Sequence, residues 1–198
     1  KNLTFELKTF SRYLASNIIC SMAVLILDGV KLSELTKIAK DIVLPQGRLE
    51  RIIKNQQVIY IDYAHTPEAL ECTLKELIDL HSEPIWCLFG CGGNRDKDKR
   101  PLMGKIAQKY SNHVVLTNDN PRDEDEMDII NDILSEIKEM EQISINLDRK
   151  DAIESSILEM ERNHINGVLL IAGKGHENYQ EVNDNLYEFN DKNIVNSL

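Results

Sequence analysis

The chain has 198 residues, 42% of them hydrophobic and 28% charged, a composition that argues against disorder and suits one domain, or one domain plus part of another. A formal net charge of −10 argues against a nucleic-acid surface, because phosphate binding needs clustered Lys and Arg. The longest mostly apolar run, Ile18 to Leu27, is too short to span a bilayer, and Cys20, Cys72, Cys87 and Cys91 show neither C-x-x-C spacing nor histidine partners, so a reduced, cytoplasmic protein without metal or membrane attachment is expected.

In chain order, the first elements are an edge strand over Leu3 to Leu7 and a helix over Asn17 to Asp28, whose Ile18 to Leu27 run reads as buried. An amphipathic helix with Leu35, Ile38, Ala39 and Ile42 follows. Two helices and a strand do not close a core of useful size. Leu44-Pro45-Gln46-Gly47 is the natural boundary, giving a division into 1–44 and 45–198. Lys1 carries neither an initiator Met nor a cleavage pattern, so the chain is expected to begin inside a longer protein.

Beyond the boundary, short apolar runs alternate with segments of helical period, the pattern of an α/β fold with a mostly parallel sheet. Strands are expected at Val58-Ile59-Tyr60-Ile61, Ile85-Trp86-Cys87-Leu88-Phe89, Val114-Val115-Leu116 and Val168-Leu169-Leu170-Ile171. Their continuous apolarity suits strands covered on both faces. Thr66 and Pro67 begin a helix with the stripe Leu70, Leu74, Leu77 and Ile78. Pro101 opens another, with Leu102, Met103, Ile106, Ala107 and Tyr110. The acidic stretch Asp123 to Glu126 reads as a helix N-terminus rather than a metal site, and Met127, Ile130, Ile133, Leu134 and Ile137 form the following apolar face. Ala152, Ile153, Ile157 and Met160 mark a further helix, and a short one ends the chain.

Four polar segments each follow a predicted strand: Asp62 to Thr66, Gly90 to Arg95, Asn118 to Arg122, and Gly173 to Glu177. In a parallel sheet they share the edge at which open α/β sheets bind ligands. Neither a dinucleotide fingerprint nor a complete phosphate loop is present, because Arg95 occupies the last position of the first pattern and Gly173-Lys174-Gly175 lacks the first glycine and the Ser or Thr of the second. The glycines of the second loop serve either a tight turn or a ligand, and Arg95 to Arg100 is a local basic spot for a small anion. His65 and His176 read as solvated or capping residues and Lys174 as a surface lysine, while Arg48 is open between a pair with Glu50 and a functional role. Asp119-Asn120-Pro121-Arg122 places a carboxylate, an amide and a guanidinium on a loop stiffened by proline. With Arg95 and Glu177, it suits the carboxylate and amine of a zwitterion, such as an amino acid.

Asp62 to Pro67, Gly90 to Gly104, Asp119 to Arg122 and Ala172 to Gln180 closely resemble the Mur ligase family, and in particular its members that add meso-2,6-diaminopimelate. The resemblance implies a Rossmann-like C-terminal amino-acid-binding domain over 45–198, preceded over 1–44 by the tail of the central ATPase domain. It implies diaminopimelate binding by Arg95, Asp119, Asn120, Pro121, Arg122, Gly173 and Glu177, with Arg122 and Asn120 on the distal carboxylate and Glu177 with Gly173 on the distal amine. Asn17, Arg48 and Asp62, with His65 and Thr66 nearby, are the implied ATP contacts, Asp62 toward the ribose; Leu14 stands where the family has an Asn. The implied reaction is ATP- and Mg2+-dependent addition of diaminopimelate to UDP-MurNAc-L-Ala-D-Glu through an acyl phosphate, by a monomer whose P-loop and UDP site lie upstream. The competing reading is a module that binds an amino acid or nucleotide without catalysis.

Overall fold

The computed structural model describes residues 4–54, 57–163 and 165–198. The chain forms two compact units, Lys1–Pro45 and Gln46–Leu198. In the first, α1 (Arg12–Leu27) starts where the Ser11 side chain accepts from the Leu14 N–H at 3.3 Å. After it come α2 (Leu32–Ile38) and a 3-10 turn, Ala39–Asp41. Thr4 to Leu7 form no strand, and Leu3 lies outside the described residues. The expected buried helix is instead largely exposed: Leu14 and Met22 are covered, whereas Val24 is 65% and Leu27 89% exposed. The run is apolar on all sides, and one short neighbouring helix can shield only one of them.

The second unit is built on a six-stranded sheet in the order β1-β2-β6-β3-β4-β5. Its members are β1 (Glu50–Lys54), β2 (Gln57–Asp62), β3 (Ile85–Phe89), β4 (His113–Leu116), β5 (Ile143–Ile145) and β6 (Val168–Ala172). All neighbours are parallel except β1, which pairs antiparallel with β2 at the edge. Between them run α3 (Pro67–Leu80), α4 (Lys99–Tyr110), α5 (Glu126–Leu134) and α6 (Arg149–Arg162). The chain steps outward through β3, β4 and β5, then returns by α6 to insert β6 between β2 and β3. A hairpin of β7 (Tyr179–Val182) and β8 (Asn185–Glu188) and then α7 (Asp191–Ser197) complete the unit.

Both faces of the sheet are covered. Ile59, Ile61, Trp86, Leu88, Val115, Leu169 and Ile171 pack with Ala152, Ile153, Ile157 and Met160 of α6 and with Ile194 and Val195 of α7. Strand alternation turns Tyr60, Cys87, Phe89, Val114, Leu116 and Leu170 to the opposite face, where buried Leu70, Leu74, Leu77, Met103, Ala107, Ile130 and Ile133 of α3, α4 and α5 belong. Some edges of the predicted stripes were misplaced. Ile78, Leu102 and Met127 are 45%, 49% and 40% exposed, and Ile129, outside the predicted stripe, is buried. Ile137 lies past the end of α5. Thr66 caps α3, its hydroxyl accepting from Ala69 N–H at 3.3 Å. Helix α4 starts two residues before Pro101, a place where the missing N–H costs nothing because first-turn donors have no intrahelical acceptor.

Candidate functional site

The parallel pairing of β2, β6, β3 and β4 brings the four polar loops to one edge, around a cleft of about 490 Å³. Arg95, Asp119, Asn120, Arg122, Gly173 and Glu177 line it, together with Tyr63, His65, Thr66, Lys99 and Tyr179. Pro121 stiffens the loop from behind and lines a neighbouring hollow with Asp123 to Met127. A larger cleft, about 800 Å³, opens on the other side of this loop near α6, α7 and the hairpin, and it contains none of the predicted binding residues.

Close approach between loops explains the glycines after β3. A Cβ on Gly90 would strike the Thr117 carbonyl, and one on Gly93 the Pro121 carbonyl. Gly93 N–H donates to the Asn120 carbonyl at 2.9 Å. These glycines therefore seat one loop on the other. Gly173, at φ +111°, belongs to the cleft itself, and a side chain there would meet the Asp119 carboxylate.

The predicted basic spot is divided between structural and free charge. Arg100 is fully buried, bonding Glu124, Asp132 and the Gly92 carbonyl. Lys97 pairs with Glu124 at 3.0 Å, and Lys99 donates to the His65 carbonyl at 2.8 Å. Arg95 is exposed and has no hydrogen-bond or ion-pair partner among the described residues. Within the acidic stretch, Asp125 caps α5, accepting from Met127 and Asp128, while hydrogen bonds from Arg100 hold the Glu124 carboxyl down at about 2.

Lys174 corrects the sequence reading most sharply, being fully buried rather than a surface lysine. Its ammonium donates to Asn120 Oδ1 at 2.9 Å and to Glu177 Oε2 at 3.0 Å. Asn120 Nδ2 also donates to Glu177 Oε2 at 3.0 Å, and Asn120 Oδ1 accepts from the Glu181 N–H at 3.0 Å. The Asn120 side chain is thus tied to Lys174, Glu177 and Glu181, and the second Nδ2–H of this cleft residue takes no partner among the described residues. Glu177 retains Oε1, which takes no hydrogen bond among the described residues. Burial pushes the Asp119 carboxyl up, while Lys174 and Arg149 pull it down and Glu177 and Asp191 push it further up. A carboxylate held this way gains from an arriving cation.

Arg149 was not anticipated. It is fully buried against Asp191 at 2.8 Å and also donates to the Asn118 and Ala172 carbonyls, clamping the ends of β4 and β6.

The implied nucleotide residues behave differently. Asp62 is 3% exposed, with Oδ2 accepting from Leu49 N–H at 2.7 Å and Oδ1 from Ala64 N–H at 2.9 Å and the Thr73 hydroxyl at 3.3 Å. It pins the loop that follows β2. The Arg48 guanidinium lies 4.7 Å above the centre of the Tyr63 ring, and Glu50 pairs with Lys192 instead. His65 and His176 pack on the same tyrosine at 4.6 and 5.2 Å. Asn17 stands exposed on α1, in the other unit. Among the described residues, no three His, Cys, Asp or Glu side chains gather to hold a metal ion, and no helix is long and apolar enough to cross a membrane.

The family model described as "Mur ligase, glutamate ligase domain" matches residues 47–175. The UDP-N-acetylmuramoyl-L-alanyl-D-glutamate--2,6-diaminopimelate ligase of Buchnera aphidicola subsp. Acyrthosiphon pisum is 45% identical over 189 residues, covering 94% of this chain and 37% of that protein. The ligase of the same name from Aquifex aeolicus is 38% identical over 198 residues, covering 100% and 40%. A solved structure bearing that name has a TM-score of 0.72 at 34% identity, covering 98% of this chain and 40% of the other. Mycobacterium tuberculosis folylpolyglutamate synthase, at TM-score 0.70 and 19% identity over 85% of this chain and 39% of its own, shares the fold. The chain spans about two fifths of the length of the curated relatives it matches. With its mostly parallel sheet, its loops gathered on one edge and a family model covering most of its length, this chain belongs to the Mur ligase family.

Proposed function

We propose that the cleft binds meso-2,6-diaminopimelate, and that the chain is the amino-acid-binding part of an ATP-dependent ligase joining that compound to UDP-MurNAc-L-Ala-D-Glu in peptidoglycan biosynthesis. The observation that carries this reading is the charge gathered on one cleft: Arg95, without a partner among the described residues, and Arg122, whose Nη2 is open, beside Asp119 and the open Oε1 of Glu177. Diaminopimelate has an ammonium and a carboxylate at each end and meets both signs. Lysine lacks the distal carboxylate and would leave Arg122 Nη2 without an acceptor, at a cost of about 1.5 to 3 kcal/mol, or roughly 10- to 150-fold in affinity.

ATP, when bound, supplies the phosphoryl group that activates the acceptor carboxylate as an acyl phosphate. This chain's share is positioning: Glu177 and Gly173 hold the distal ammonium, and Arg95 and Arg122 the carboxylates, leaving the other amino group to be aligned as nucleophile. Arg48 on Tyr63 offers a nucleotide a cationic and aromatic surface. Among the described residues no three His, Cys, Asp or Glu side chains gather, and in this reading magnesium is held chiefly by the phosphates of ATP. The partners in this reading are small molecules, and the protein works as a cytoplasmic monomer.

The test is thermal shift of this chain with meso-diaminopimelate or lysine. At 100 times Kd, the preferred ligand adds about 2.7 kcal/mol of stability. Equal shifts from the two ligands would refute the assignment. The chain alone is expected to show no ATP hydrolysis.

A further inference from the structure

We propose that Glu181 is a positioning residue that presents Arg122 to the cleft and so sets the preference for a ligand with a second carboxylate; the proposal rests on the binding reading above. Arg122 stands at φ +54°, the left-handed region that a non-glycine residue keeps only when its surroundings hold it there. The hairpin provides that hold. Arg122 N–H donates to the Glu181 carbonyl at 3.1 Å, Asn183 N–H donates to the Arg122 carbonyl at 3.0 Å, and Arg122 pairs with Val182 as an isolated parallel bridge.

The side chain is held by the same residue. Glu181 Oε2 lies 2.8 Å from Arg122 Nε, and Arg122 Nη1 donates to the Gly93 carbonyl at 2.8 Å. Two edges of the guanidinium are thereby fixed, and Nη2 takes no partner among the described residues. The pair is shielded, Arg122 being 16% and Glu181 26% exposed at the side chain. Glu181 also donates its N–H to Asn120 Oδ1, linking the arginine to the Lys174 and Glu177 network. It does not line the cleft, so its effect on a ligand passes through Arg122.

A guanidinium aligned before binding loses less freedom when a carboxylate arrives, which favours ligands that use it over ligands that do not. Isothermal titration of this chain should show Glu181→Ala weakening meso-diaminopimelate about tenfold with lysine affinity unchanged. Glu181→Gln, whose carbonyl still accepts from Nε–H, should restore most of the loss. Glu181→Ala combined with Arg122→Ala should bind no more weakly than Arg122→Ala alone. Additive losses, or equal weakening of both ligands, would overturn the proposal, since a structural defect does not distinguish them. The second readout needs no ligand: the Arg122 Nε–Hε NMR signal should exchange slowly with water in the parent and in Glu181→Gln, and quickly in Glu181→Ala. An unchanged signal would sink the proposal. A parent chain that binds neither ligand would refute the binding reading while this signal still decides whether Glu181 holds Arg122.

Discussion

Replacing Lys174 with Met removes a buried charge while keeping nearly the same shape, because methionine fills a similar channel with an unbranched apolar chain. The ammonium makes two charge-assisted hydrogen bonds, to Asn120 at 2.9 Å and Glu177 at 3.0 Å, from a fully buried position. Each is worth about 1.5 to 3 kcal/mol, so about 3 to 6 kcal/mol is the ceiling. Glu177 is 19% exposed at the side chain and can turn toward water, which places the expected loss near 3 kcal/mol. For a unit of this size, each kcal/mol moves Tm by about 2 to 4 °C, and calorimetry at pH 7 should record a fall of about 6 to 12 °C. The deficit should also depend on pH. Burial raises the Asp119 carboxyl above its ordinary 3.8, and Lys174 is the leading group that opposes the rise. A carboxyl raised in the folded state binds more protons there than in the unfolded chain, so stability falls as pH climbs from about 4 through the raised value. Without Lys174 that window widens, and the variant should lie closest to the parent in acid. A Tm within about 2 °C of the parent, or a deficit independent of pH, would refute the reasoning.

Asp119→Asn should raise the Tm of the ligand-free chain at neutral pH, since burial disfavours the charged carboxylate, and should weaken diaminopimelate binding in calorimetric titration. Glu124, held at about 2 against 4.5, contributes stability that is present above about pH 4.5 and lost as pH falls toward 2. Acid denaturation of Glu124→Gln should therefore begin from a lower plateau, by on the order of 2 kcal/mol, and be shallower over that window. Arg122→Ala should reduce the diaminopimelate-to-lysine preference by roughly 10- to 150-fold in competition binding, with lysine affinity nearly unchanged. Gly93→Ala drives a methyl into the Pro121 carbonyl, and chemical denaturation should show a loss of about 2 kcal/mol or more together with a displaced Asp119 to Arg122 loop.

The local rules carried the strands, the caps and the cleft's location. Runs such as Ile85 to Phe89 and Val168 to Ile171 are apolar at every position because helices cover both faces, and the polar residues after them must then share the carboxyl edge. Thr66 and Asp125 cap helices through their own side chains, a signal contained in a few adjacent residues. The edge strand β1 and the three-residue β5 were not foreseen, and the β7–β8 hairpin was also missed. Their residues are partly exposed, so neither alternation nor apolarity announces them.

For the site, the sequence by itself determined which charged residues stand at the strand ends, because that depends only on the order of apolar runs and polar loops. Tertiary structure alone decided which of those charges are free. Lys174 and Arg100 read as surface cations until the loops close over them, whereas Arg95 has no partner among the described residues and Asn120 and Asp62 are tied into the protein's own hydrogen bonds. Glu181 lies 59 positions from Arg122 in the chain, and only the placement of the hairpin beside the loop joins them at 2.8 Å. Burial and pairing are sums over neighbours distant in sequence, and those neighbours are fixed only when the sheet order is.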